Sequence, residues 1–374
     1  VPHPARTLIR DVRVFDGARV LDERVDVLVD GDRIAAHDPA TPADVEIDGS
    51  GRTLLPGLID AHTHTFDGSL AAALRHGVTT ELDMFCLPAN LRRQRALAAE
   101  RDDVADLRSS GVLATAPGGH PSQLMTLMAD GFGDAAGPFD TIARPEDAAA
   151  FVAARLREGS DYLKIVIDDG STAGTRLPVL GARTAAALVA AAHDSGLRTI
   201  AHAATATEAA TALAAGVDGL AHAWWEGGAG APPTEELAAR AAAQGVFVVS
   251  TLAYAEASGA GRPDRRAYST AVVAALAAAG APLLAGTDAT PFAPLHGEAM
   301  HRELELLTAA GLTPPQALHA ATAAPALHFG LHDRGRVAPG LRADLLLVNG
   351  DPIRDITAVR DIAHVWRRGV RQVR

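Results

Sequence analysis

The sequence predicts an α/β protein: a TIM-like (β/α)8 barrel beside a small β-sandwich built from both chain ends. Three observations carry this prediction. The middle of the chain alternates short apolar runs with alanine-rich helical stretches, the texture of repeated βα units around a parallel sheet. The two ends read instead as short alternating strands with tight turns. Several central apolar runs end in a residue that can bind a metal or move a proton. Active sites of such barrels lie at those C-terminal strand ends.

Up to about Gly51 the chain has hairpin character. Thr7 to Phe15 alternates, Asp16-Gly17 turns, and Val25 to Val29 alternates before Asp30-Gly31. Eight parallel strands are then expected, at Leu55–His62, Val78–Met84, Val112–Ala116, Tyr162–Ile167, Thr199–His202, Gly219–His222, Val246–Thr251 and Pro282–Thr287. Helices are expected between them, such as Ala182–Asp194 before Ser195-Gly196 and Thr205–Ala215 before Gly216. The hairpin texture returns at Ala343–Val348, which ends at Asn349-Gly350, and at Ile362–Trp366. Neither end can bury a core alone, so the two should pair. The expected plan is residues 1–56 and 334–374 in the sandwich and 57–333 in the barrel. A doubly wound open sheet would show a Gly-rich phosphate turn after its first strand. Ala61-His62-Thr63-His64 stands there instead.

Composition narrows the function. The chain has 374 residues, 48% hydrophobic and 21% charged, as in ordinary globular proteins. No apolar run approaches the ~20 residues of a membrane helix. The opening Val1-Pro2-His3-Pro4 shows no basic stretch followed by an apolar core, and a cytoplasmic location is expected. Cys86 is the single cysteine, so no intrachain disulfide and no thiolate cluster can form. A formal net charge of −11 argues against nucleic acid and anionic membranes as partners. A small-molecule substrate is the expected partner, and self-association into a homo-oligomer is compatible with the sequence.

His62 and His64 are the most informative pair. Strand side chains at i and i+2 point the same way, so His-x-His at a strand end delivers two imidazoles to one place. That is half of a transition-metal site. Strand four adds Lys164, strand five His202, strand six His222, and strand eight Asp288 in Gly286-Thr287-Asp288. One buried histidine is usually a core residue. Four histidines, a lysine and an aspartate at matching ends of five strands point to a site.

These motifs, with Pro56-Gly57-Leu58-Ile59-Asp60-Ala61-His62-Thr63-His64 and the closing Gly340 to Val348, resemble the amidohydrolase superfamily of metal-dependent hydrolases. The resemblance covers nearly the whole chain and implies a β-sandwich beside the barrel. It is nearest to prolidase-like and imidazolonepropionase-like members. A lysine amine near positive charge is easily neutralised, and the resemblance to binuclear members implies a carbamate on Lys164. The implied scheme has two divalent metal ions, zinc by ligand chemistry. His62, His64 and Asp288 hold one, His202 and His222 the other, and carbamylated Lys164 bridges them. A metal-bridging hydroxide then attacks a C–N amide bond, linear as in a dipeptide or N-acyl amino acid, or cyclic. Asp288 serves as general acid and base.

His120, Tyr254, Trp224, Arg176 and His296 are candidates for shaping the substrate pocket. The alternatives are a lactonase, esterase or phosphotriesterase-type hydrolase on the same site, and a non-catalytic assembly protein of this kind. Such assembly proteins typically lack metal ligands that are all present here.

Overall fold

The computed structural model describes residues 6–36, 42–128, 131–227, 230–259 and 263–373. Eight strands in its middle run parallel: Leu58–Thr63, Val78–Asp83, Asp106–Ser109, Leu163–Ile167, Thr199–Ala203, Gly219–Leu220, Phe247–Val249 and Leu283–Leu284. The first three pair in sequence as one sheet and the last five as another. Two seams join these sheets. At one, Ala114 bridges Ile165, its N–H donating to the Lys164 carbonyl at 2.8 Å. At the other, Thr63 bridges Ala289, and the Asp288 N–H donates to the His62 carbonyl at 2.8 Å. The parallel strands thus take a TIM-like arrangement, with a helix after each strand.

Those helices form for reasons visible in their sequence. In Ala206–Ala215 the high-propensity alanines bury Ala206, Ala209, Ala212 and Leu213, one face at three-to-four spacing. Thr205 and Glu208 form a capping box at its start, and Gly216 ends it in the left-handed region at φ 83°. The helix Ala182–Asp194 has the expected bounds.

The chain ends build one eight-stranded sheet together. Its order is Val370–Arg371, Ile362–Arg367, Leu345–Asn349, Arg52–Pro56, Thr7–Val14, Val25–Asp30 and Arg33–Ala35, with Val45–Asp48 also on Thr7–Val14. Its own apolar cluster includes Ile9, Val14, Leu54, Leu347 and Trp366. The opening Val1-Pro2-His3-Pro4 lies outside the described residues.

The third parallel strand corrects the expectation. It lies at Asp106–Ser109, not at Val112–Ala116. Asp-Leu-Arg-Ser carries no apolar run, because Asp106 sits among the guanidinium groups of Arg334, Arg342 and Arg367. The apolar segment beyond it supplies the single bridge at Ala114.

Candidate metal centre

His62 ends the first parallel strand fully buried. Its Nδ1 lies 2.9 Å from the Ala221 carbonyl, which only accepts, so Nδ1 carries the proton and Nε2 keeps its lone pair. That buried Nε2 has no hydrogen-bond partner among the described residues and stands 3.3 Å from Asp288 Oδ1. His64 Nε2 lies 3.1 Å from the same oxygen. Asp288 reaches this position through a left-handed φ of 54°, rare for a residue with a side chain and a mark of local strain. Gly286 permits the approach: a Cβ there would fall 2.4 Å from Val249 Cγ1 and 2.8 Å from the His62 nitrogen.

His202 and His222 complete the cluster. His202 Nε2 donates to Asp168 Oδ2 at 3.1 Å, leaving a lone pair on Nδ1. That Nδ1 faces His222 Nε2 at 2.9 Å, while His222 Nδ1 lies 3.1 Å from Thr251 Oγ1. With its proton on Nδ1, His222 turns a second lone pair toward the first, which suits a cation between them. Ring centroids of His62 and His202 each lie 4.7 Å from that of His222. The orphaned Nε2 of His62 and these facing nitrogens fit a divalent metal.

The electrostatics agree. Burial pushes the Lys164 ammonium down to about 8, against the opposing pull of Asp288 and Asp83. A neutral amine is therefore accessible there, the form that carbamylation requires. Burial, with the Lys164 charge, holds His62 well below the usual imidazole range. Burial also depresses His222, with His202 and His62 adding to it. For Asp288 burial acts upward, but His62, His64 and His222 hold the carboxyl well below its usual range.

Two of the five pocket candidates meet this cluster. The His120 ring stacks on His202, centroids 5.2 Å apart, and burial lowers its imidazole to about 4. It is neutral at neutral pH, with Nδ1 accepting from Gln123 at 3.1 Å. The Tyr254 ring lies 6.5 Å from His222, and burial raises its phenol to about 12, so it keeps its proton.

The other three stand elsewhere. Trp224 is wholly buried in the main apolar core. Its neighbour Trp225 faces the site instead, 5.2 Å from the His222 ring. Arg176 has a side chain 79% exposed and pairs with Asp169. His296 is buried behind His64, with Nδ1 2.7 Å from Glu81 Oε1 and Nε2 3.1 Å from the His64 carbonyl.

Asp168, Thr251 and Glu303 escaped the sequence reading. Asp168 had a readable signal, since it lies four residues beyond Lys164 and shares its strand face. Thr251 and Glu303 had none. Glu303 is fully buried on the helix Glu298–Ala309 and accepts from Ser250 Oγ, Leu252 N at 3.0 Å and Ala253 N at 2.6 Å. It thereby clamps the turn around Thr251, whose φ is 45°.

Fold and donor set together define the class: a TIM-like α/β protein with imidazoles, a carboxylate and a lysine gathered at its C-terminal strand ends. The chain belongs to the amidohydrolase family, which matches residues 53–371. It is similar to imidazolonepropionase of Deinococcus deserti, 38% identical over 97 residues, 25% of this chain and 24% of that one. It is also similar to dihydroorotase of Syntrophotalea carbinolica, 42% identical over 64 residues, 17% of this chain and 15% of that one. The chain therefore spans about a quarter or less of the length of these curated relatives.

Solved structures match over nearly the whole length. A Xaa-Pro dipeptidase with bound methionine superposes with a TM-score of 0.83 at 22% identity, covering 98% of this chain and 100% of that one. Molinate hydrolase gives 0.80 at 21%, covering 100% and 95%. At these identities the likeness is one of fold.

Proposed function

We propose that this protein is a metal-dependent hydrolase of C–N amide bonds, linear or cyclic. One observation carries the reading: His62, His64, His202, His222, Lys164 and Asp288 lie at one end of the parallel strands, and His62 Nε2 has no hydrogen-bond partner among the described residues. The proposal includes two divalent ions, zinc by ligand chemistry, held by these residues with a carbamate on Lys164. Its domain plan is a barrel over 57–333 and a small β-sandwich from 1–56 and 334–374. The amide-cleaving names among the structural neighbours support it, as does family membership.

Bound divalent ions supply Lewis acidity that eases deprotonation of water and polarises a carbonyl. The chain's own residues do the rest. Asp288, held ionised by its imidazole neighbours, takes a proton from the attacking water and returns it to the departing amine nitrogen. Tyr254, protonated and beside His222, donates toward the oxygen that gains charge. Asp168 and the Ala221 carbonyl hold His202 and His222's neighbour His62 in single tautomers, so that the ring nitrogens facing the site stay free of protons.

The test is a turnover panel of dipeptides, N-acyl amino acids, cyclic amides and lactones, with elemental analysis of the same protein. Amide turnover with about two metals per chain is expected. Activity confined to lactones or phosphotriesters, or full activity without metal, would overturn the reading.

A further inference from the structure

Three phenylalanines form a continuous edge on the loops that leave the candidate site. Phe66 follows His64 by two residues, Phe292 follows Asp288 by four, and Phe132 lies beyond the helix Ser122–Met128 that follows His120. The Phe66 and Phe132 rings meet edge to face at 5.2 Å, and Phe132 meets Phe292 likewise at 5.5 Å. Phe292 is nevertheless 63% exposed. An aromatic ring held in order yet left in water does nothing for the core, and clustered exposed apolar surface marks a binding site.

Two further observations connect this edge to the site. Phe132 packs on a buried apolar cluster that includes Val112, Met125 and Val166. Val166 lies two residues beyond Lys164 on the fourth strand and shares its face. Apolar packing therefore links the strand that carries the lysine to Phe132. The loops are also tied in place. Arg93 donates to both Asp67 and Asp134, the neighbours of Phe66 and near-neighbour of Phe132, and Gln94 donates to Asp67 at 2.8 Å.

We propose that Phe66, Phe132 and Phe292 form a subsite for an apolar, preferentially aromatic group attached to the scissile amide. The inference rests on the hydrolase reading and adds the substrate class to it. A ring entering between the phenylalanines leaves water and gains edge-to-face contacts. The subsite offers no unpaired cation among these residues, since the Arg93 guanidinium is engaged by two carboxylates. It therefore selects by apolar area and not by charge.

The test compares Phe-Gly, Gly-Phe and Gly-Gly as substrates of the metal-loaded protein and of Phe292→Ala and Phe132→Ala. Calorimetry with N-acetyl-L-phenylalanine amide and N-acetylglycine amide accompanies it. The wild-type protein should favour a Phe-containing dipeptide in kcat/KM and bind the phenylalanine amide more tightly. Either substitution should lower that preference roughly tenfold, the scale of one hydrophobic pocket contact. Absence of dipeptide turnover would count against the hydrolase reading and leave the binding arm to decide the subsite. Equal binding of the two amides, or a preference untouched by both substitutions, would overturn the subsite. So would a change of oligomeric state in Phe292→Ala by sedimentation with selectivity intact, because the edge would then be a contact between copies.

Discussion

At the base of the parallel strands Asp106 is met by Arg334, by Arg342 at 3.2 Å and by Arg367 at 3.4 Å, while Asp344 takes a second contact from Arg342 at 2.6 Å. At their other ends Asp288 is met by His62 at 3.3 Å and His64 at 3.1 Å, and burial holds the His62 imidazole well below its usual range. Asp288 is buried and Asp106 half-buried, and both are held far below their usual range against the upward push of burial. The difference lies in what their neighbours need. Guanidinium groups are permanently charged, so the base balances its own charge. Imidazole nitrogens can turn lone pairs toward a cation, the role proposed for them at the top. Buried charge alone is thus a poor sign of function; unfilled lone pairs around it are the better one.

The largest expected effect that tests this contrast is Asp288→Asn. The substitution keeps the shape and removes the base, so turnover should fall roughly 10²–10⁴-fold with metal content retained. Metal content and turnover measured on one preparation decide it. Loss of metal in step with turnover would make Asp288 a ligand alone, and full metal with near-normal turnover would remove it from the chemistry.

Asp106→Asn should do the reverse. It strands buried guanidinium groups, and unfolding in urea should show a loss of about 3–5 kcal/mol. Turnover per folded molecule should stay near that of the parent protein. A drop in turnover without a drop in stability would erase the contrast between the two ends.

The smallest effect concerns His301, an imidazole buried without a cluster. Its Nε2 donates to the His76 carbonyl at 2.8 Å, and burial lowers it to about 4 from the ordinary 6.5. The folded state therefore binds fewer protons than the unfolded state between these values. Its contribution is complete above about pH 6.5 and is lost as the pH falls toward 4, at up to roughly 1.4 kcal/mol per pH unit. His301→Gln should flatten that part of the stability–pH curve measured by urea unfolding. An unchanged slope would assign the acid sensitivity to other groups.

The sequence was most legible where the backbone is regular. His62, Lys164 and His202 are legible because each stands in a regular strand, and Asp288 because it closes the run that follows the eighth strand. The same logic failed at Trp224. Residues 221–225 leave the strand, so alternation no longer tells which indole faces His222. It failed again at Asp106–Ser109, where hydrophobicity is an unreliable guide to a strand whose first residue serves an ionic cluster. Arg176 and His296 were placed by their distance along the chain from ligands, and a loop can turn either way over a few residues. Glu303 lay beyond reach because its contacts with Ser250, Leu252 and Ala253 join segments about fifty residues apart.

The seam beside the site has a consequence for how the protein matures. Thr63 and Ala289 make the bridge that joins the two sheets there, and each adjoins ligand candidates, His62 and His64 on one side and Asp288 on the other. A chain in which this seam has not formed holds the imidazole pair and the carboxylate apart and has no chelating geometry. Capture of the proposed ion and closure of this seam would then be one equilibrium. Free ion drives it toward the native state by RT ln(1 + [ion]/Kd), about 2.7 kcal/mol at a hundredfold excess over Kd.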